Sequence, residues 1–298
     1  MSTVQTEKSP STMKKSNPRS EAFKTFMKRL LKNKAAVVGG IVILFIILVG
    51  IFGPFLVKTD PNAQNILNKL QPPSKEHWFG TDNFGRDIFS RIVNGTKLTL
   101  TVGFLSVFIG GIIGVVIGII SGYYGGVVDT ITMRLMDILL AFPGILLALA
   151  IVSVLGGSLI NVIIAVGIFS IPAFARIVRG STLQVKKLEY IDAVKALGAS
   201  DIRIIFKHIL PNIMSPIIVQ ATMRIATAIL TASGLAYLGL GAQPPAAEWG
   251  AMLSDGRTYM HNAGHMVLIP GMMIVIVVLA FNIFGDGLRD ALDPKMKQ

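Results

Sequence analysis

Residues 35–56 read AAVVGGIVILFIILVGIFGPFL, without a single charged side chain. About 20 apolar residues at a rise of ~1.5 Å cross a hydrocarbon core of ~30 Å, so this stretch predicts a membrane-spanning helix. The same test applied outward yields five more. A second span lies in the uncharged stretch between Lys97 and Asp129. No charge occurs between Asp137 and Arg176, and Gly156-Gly157-Ser158 supplies a turn, which predicts a hairpin of spans from Arg134 to Leu155 and from Leu159 to Val178. A fifth span begins near Ile213 and contains Arg224, and a sixth runs from about Met266 to Phe284. The expected fold is an all-α membrane protein with six transmembrane helices.

Composition agrees, because 52% hydrophobic against 15% charged residues exceeds what a soluble chain of 298 residues carries. A nucleic-acid binder would spread the net charge of +12 over a polar folded surface, whereas long apolar runs fill this chain, so the lipid bilayer and no nucleic acid is the expected environment. The absence of cysteine excludes disulfides, thiolate metal sites and a cysteine nucleophile. The charge excess instead reads as topology. Residues 1–34 hold nine Lys or Arg against Glu7 and Glu21 and predict a flexible, uncleaved cytoplasmic tail. With both ends inside, twenty basic residues fall on the cytoplasmic side and seven outside, as expected of basic residues retained in the cytoplasm. The organisation is then a tail (1–34), a six-helix transmembrane domain (35–284) and a C-terminal cytoplasmic tail (285–298). The domain includes an outer loop at 57–97, a cytoplasmic loop at 179–212 and an outer loop at 241–265.

The cytoplasmic loop is patterned. Leu188 to Asn212 reads LEYIDAVKALGASDIRIIFKHILPN. Tyr190, Ala193, Val194 and Leu197 fall at helical spacing, Gly198 suits a left-handed C-terminal cap, and Ser200 can cap a second helix. Ile202, Ile205, Phe206 and Ile209 repeat the spacing, and Pro211 is expected to end it. Two short amphipathic helices joined at a glycine make a knob that either docks into a partner's groove or lies on the membrane surface.

Asp192-Ala193-Val194, Gly198 and Leu210-Pro211 resemble the EAA loop of ABC importer permeases, with Asp192 in place of the usual Glu, Val194 of the second Ala and His208 of an aliphatic residue. HWFGTDNFGRD (77–87), LGLGAQPPAAEWGAMLSDGR (238–257) and GDGLRDALDP (285–294) are similar to the C-type subunit of the dipeptide, oligopeptide and nickel group of that family. The resemblance implies the ABC importer permease fold in a bacterial or archaeal inner membrane. It also implies a heterodimer with a homologous permease subunit, two cytoplasmic ABC ATPases that bind ATP and Mg, and an external substrate-binding protein. The loop would couple to the ATPases through Tyr190, Asp192, Ala193, Leu197, Gly198, Ala199, Ile205, His208, Leu210 and Pro211. For Asp82, Arg86, Asp87 and Trp249 the resemblance implies contact with the binding protein, while turn chemistry and an Arg86 pair with Asp82 or Asp87 give a scaffolding role.

Within the membrane, Gly110, Gly114, Gly118 and Gly122 lie on one helical face and predict close packing. Arg134, Asp137 and Arg224 are costly in lipid. An Arg134–Asp137 pair at i, i+3 is the simplest expectation, and Arg224 and Asp137 are candidates for the translocation path or a subunit interface. Pro143 and Pro172 are expected kinks. No P-loop occurs, so the chain is read as a non-catalytic permease whose energy comes from other subunits. His261 and His265 stand at i, i+4 without the carboxylate a zinc protease needs, and no metal site or bound cofactor is expected. The leading function is import of dipeptides or oligopeptides by alternating access. A nickel or metal-chelate importer is the alternative within the family, and an ion-coupled secondary transporter the alternative from another class.

Overall fold

The computed structural model describes residues 18–292, and the outer parts of both expected tails, 1–17 and 293–298, lie outside the described residues. Among the described residues the chain is helical apart from loops and one isolated bridge between Thr81 and Asp87. The expected first tail is helical in part: α1 (Pro18–Lys32) precedes α2 (Lys34–Leu56), with Asn33 between them accepting from the Ala36 amide through its side chain. Spans two and four are α3 (Ile88–Tyr124) and α6 (Leu159–Lys186), five is α9 (Met214–Tyr237) and six is α11 (His265–Leu292).

Span three departs from the expected single helix. It consists of α4 (Gly126–Ala141) and α5 (Gly144–Leu155), which meet at an angle of 91°. Pro143 explains the break: it lacks an N–H, and it forces Phe142 into extended backbone (φ −90°, ψ 136°). Gly144 then passes so close to the Phe169 ring of α6 that a Cβ there would lie 2.1 Å from it. Pro172, by contrast, is absorbed inside an unbroken α6. With the bent pair counted as one span, the described residues hold six spans.

The α3–α6 pair forms the spine of the bundle. A Cβ on Gly110, Gly114, Gly118 or Gly122 would lie 2.4–2.9 Å from the carbonyl oxygens of Gly167, Ile171, Ala175 and Arg179 in turn. Each turn of one helix therefore rests on the backbone of the other, as the four-residue glycine repeat predicts. Around it the core joins Ile43 and Ile46 of α2, Phe174 of α6, Ile225 and Ile229 of α9 and Ile274 and Phe281 of α11. α2 is otherwise exposed, with Ile41, Phe45, Leu48 and Phe52 facing outward as lipid-facing residues do.

One end of the bundle gathers the start of α2 beside Gly287 of α11, the end of α3 and the segment after α6. The other end gathers residues 57–87 and 238–264, where Gly80 meets His265 and Arg91 meets Pro245.

Candidate functional site

The segment after α6 folds into the expected knob. α7 (Glu189–Ala196) ends at Gly198, whose φ of +80° is the left-handed conformation a glycine adopts without strain. Ser200 Oγ accepts from the Arg203 amide at 3.4 Å and begins the single turn α8 (Asp201–Ile204). The second helix differs from the expectation. Residues 205–209 widen into a π turn and 210–213 tighten into a 3₁₀ turn, with Pro211 at the start of that turn, where its missing N–H goes unneeded. Pro211 thus passes the chain into α9 instead of ending it.

The wide turn shifts the helical phase. The side chains facing inward are Ile191, Ile204, Ile209 and Ile213, packed on Ile119, Tyr123 and Val178 of α3 and α6. Leu197 (87% exposed), Ile202 (71%) and Phe206 (65%) face outward together with Asp192, Ala193 and Gly198. Ala199, Ile205, His208 and Leu210 are half-buried, and Tyr190 is held by Asn212 Nδ2, which donates to its hydroxyl at 3.1 Å. The knob is thus seated on the bundle by one apolar face and offers a second one outward.

Polar contacts absent from the sequence reading hold it in place. Tyr123 Oη donates to Asp201 Oδ1 at 2.6 Å, and Lys186 Nζ donates to the Tyr123 carbonyl at 2.5 Å. One turn deeper, Arg179 grips Asp129 with two hydrogen bonds at 2.5 and 2.6 Å, and Ser121 Oγ donates to the same carboxylate. A tyrosine closing a glycine-lined helix gave no signal for this, because its partner lies 78 residues away.

At the opposite end the expected outer contact residues are interior. Asp82 Oδ1 accepts from the amides of Phe84 and Arg86 at 2.9 Å, and Arg86 Nε donates to Asp82 Oδ2 at 2.5 Å. Asp87 caps α3 through the Ser90 amide and meets His77 Nδ1 at 2.9 Å. Trp249, at the start of α10 (Trp249–Gly256), is fully buried, and its Nε1 donates to the Ile92 carbonyl at 3.1 Å. All four side chains are buried within this chain, where they brace the loops, the scaffolding role that turn chemistry and the Arg86–Asp82 pair give them. Ile66, Leu67 and Trp78 are among the exposed apolar groups at this end, with Phe84, Leu238 and Met260.

Arg91 was missed, although it is almost fully buried and ties three segments together. Its guanidinium donates to the carbonyls of Pro61 (3.1 Å), Pro245 (3.3 Å) and Ala246 (3.4 Å), with Asp82 Oδ2 at 3.7 Å. Glu248 is a second missed residue: it caps α10 through the Ala251 amide at 2.9 Å and accepts from Thr99 Oγ1 at 3.2 Å. Burial pushes its carboxyl pKa up against the pull of those bonds, and burial likewise raises that of Asp255, which Arg86 approaches at 3.5 Å. His265 Nε2 lies 3.1 Å from the Thr81 carbonyl, and among the described residues no three His, Cys, Asp or Glu side chains gather as metal ligands.

In the membrane the expected Arg134–Asp137 pair is replaced. Asp137 Oδ1 instead accepts from Arg176 Nη2 of α6 at 2.7 Å, both side chains being about half exposed, while Arg134 points outward without an ion pair among the described residues. The bend at Pro143 sets α4 beside α6 and turns Asp137 toward it. Arg224 sits on α9 with its guanidinium 5.8 Å from the Phe169 ring centroid.

Six spans packed on a glycine spine, knobbed at one end and capped by braced loops at the other, define a multi-pass helical membrane protein. Solved structures share this fold. The MetNI methionine ABC transporter, in inward-facing conformations, aligns with a TM-score of 0.56 at 22% identity over 68% of this chain and 97% of its own. An amino acid ABC transporter with histidines aligns with a TM-score of 0.51 at 15% identity over 66% and 92%. Residues 114–298 match the family described as binding-protein-dependent transport system inner membrane component, and residues 22–73 match the N-terminal TM domain of oligopeptide transport permease C. The chain belongs to this family of permeases. It is 54% identical to a dipeptide transport system permease protein, DppC, of Alkalihalophilus pseudofirmus, over 94% of this chain and 91% of that one. It is 49% identical to a glutathione transport system permease protein, GsiD, of Pectobacterium atrosepticum, over 92% of each chain, and 51% identical to the Escherichia coli O1:K1 protein of that name over 91% and 90%.

Proposed function

We propose that this chain is one of two homologous, non-catalytic permease subunits of an ATP-driven importer of short peptides, in a bacterial or archaeal inner membrane with both chain ends in the cytoplasm. The observation that carries the proposal is the outward apolar face of the knob, Leu197, Ile202 and Phe206, beside Asp192, Ala193 and Gly198. Apolar groups at the aqueous end of a membrane protein are costly unless a partner covers them. A cytoplasmic ABC ATPase is the partner assigned here, one of two that bind ATP and Mg.

Closure of the ATPases on nucleotide moves the knob, and Tyr123, Lys186 and the Asp129–Arg179 pair carry that motion into α3, α4 and α6, which switches the exposure of a path between the two permeases. An external binding protein delivers the substrate at the opposite end, with Ile66, Leu67 and Trp78 as its contact surface in place of the buried residues. The peptide assignment rests on relatives named for dipeptide and glutathione transport.

Deletion of this chain and measurement of labelled dipeptide and labelled nickel uptake tests the substrate: loss of dipeptide uptake alone is expected, and loss of nickel uptake alone would overturn the peptide assignment.

A further inference from the structure

We propose that the face shared by α4, α6 and α9 carries a binding site for the two ends of a short peptide, with Arg224 holding the carboxylate and Asp137 the ammonium. The inference rests on the peptide reading above and adds to it the groups that recognise the substrate.

Arg224 stands at the eleventh position of the 24-residue α9, near the middle of a span, and among the described residues it has no ion pair or hydrogen bond. Its one assigned contact is the face of Phe169. A guanidinium at that depth is retained only against an aqueous cavity or an anion, because lipid offers no compensating charge. Its planar fork matches a carboxylate.

Phe169 and Arg176 are seven residues apart on α6, which puts them on one face, with Arg176 about 10 Å nearer the knob at ~1.5 Å per residue. Arg176 presents Asp137, whose Oδ1 it binds while Oδ2 has no donor among the described residues. A half-exposed ion pair on transmembrane helices is costly against lipid and suits an aqueous path, and a carboxylate with one open oxygen accepts an ammonium without giving up its arginine.

The two contact levels on α6 are thus about 10 Å apart, and two or three extended residues of at most ~7–11 Å, with a hydrogen bond of ~2.8 Å at each end, reach across them. The site selects for a free amine and a free carboxylate at that separation, which defines a zwitterionic di- or tripeptide. Toward the knob, α6 and α9 open with α11 into a cleft of about 630 Å³ in which Ser181, Gln184, Gln220 and Arg289 stand among apolar residues such as Ile177, Val219 and Met223.

The test uses the whole transporter in cells deleted for this gene and complemented with it or its variants. Uptake is measured for labelled trialanine, its C-terminal amide and its N-acetyl form, with membrane levels of each variant determined in parallel. The binding protein is unchanged throughout, so ratios between variants report on the permease.

Arg224→Gln is expected to lower trialanine uptake about tenfold or more, the cost of losing a hydrogen bond to a charged group, while raising the amide-to-acid ratio. Arg224→Lys, which keeps the cation but not the fork, should retain more uptake than Arg224→Gln and keep the preference for the free acid over the amide. Asp137→Asn should narrow the preference for the free amine over the N-acetyl form.

Equal ratios in Arg224→Gln, Asp137→Asn and wild type would overturn the inference while leaving the peptide importer intact, as would failure of Arg224→Lys alongside Arg224→Gln. Absence of trialanine uptake by the unmodified transporter would overturn the peptide reading, and this inference with it.

Discussion

The Tyr123 hydroxyl at the end of α3 donates to the Asp201 carboxylate at the start of α8 across 2.6 Å, so the knob is tied to the glycine spine by a bond to a charged group. A bond of this kind contributes roughly 1.5–3 kcal/mol. Tyr123→Phe keeps the ring against Val178 and Ile204 and removes only the bond. Assembly should survive, while solute moved per ATP hydrolysed falls several-fold; an unchanged ratio would show that motion enters the bundle by another route.

The glycine spine makes a second prediction. Gly114 has Ile171 O and Phe174 Cβ both 2.6 Å from where its Cβ would stand, and neither backbone nor a branching point can move aside cheaply. Gly114→Leu should therefore abolish accumulation of folded protein in the membrane. Gly180, whose Cβ position meets nothing within 4 Å, should accept alanine with no loss, as judged by thermal unfolding in detergent.

Arg91→Met should cost about 2–4 kcal/mol of stability, since it strands the carbonyls of Pro61, Pro245 and Ala246 in a buried site. Trp78→Ala, at an exposed side chain, should leave thermal stability unchanged and weaken uptake driven by the binding protein. The reverse pattern would return the outer contact to the buried residues.

Glu248 gives the pH dependence. Burial raises its carboxyl pKa above the ordinary value, so the folded state holds this proton more tightly than the unfolded state. Stability from this group is full below the unfolded carboxylate pKa and is lost as pH rises through the folded value. Glu248→Gln keeps a carbonyl acceptor for the Ala251 amide and presents its own N–H to Thr99 Oγ1, without the buried charge. Its stability relative to wild type should therefore be greatest near neutral pH and shrink on acidification, read as the difference in unfolding temperature between pH 7 and pH 5.

Much of this architecture is legible in the chain because lipid imposes simple arithmetic: uncharged runs of bilayer length and glycines four apart mark spans and their packing. Gly198 and Ser200 mark the joint of the knob for equally local reasons, a positive φ and a cap. What escaped is set by distance and phase. The π turn at 205–209 brings Ile204, Ile209 and Ile213 to one inward face, which a 3.6-residue count cannot foresee, and Asp137 finds its partner in Arg176, 39 residues away on another helix. Turn chemistry allowed Arg86 and Trp249 either a scaffolding or a contact role, and contacts such as Trp249 with Ile92, 157 residues away, which local sequence does not reveal, bury them.

The most direct test exploits the cysteine-free chain. Ala193→Cys, exposed on the knob, is treated with a short bifunctional crosslinker in native membranes, and the adduct is identified by mass spectrometry. The account predicts capture of a P-loop ATPase, lost when Gly198, with its φ of +80°, is also replaced by a bulky residue. A reactive thiol that captures no ATPase would contradict it.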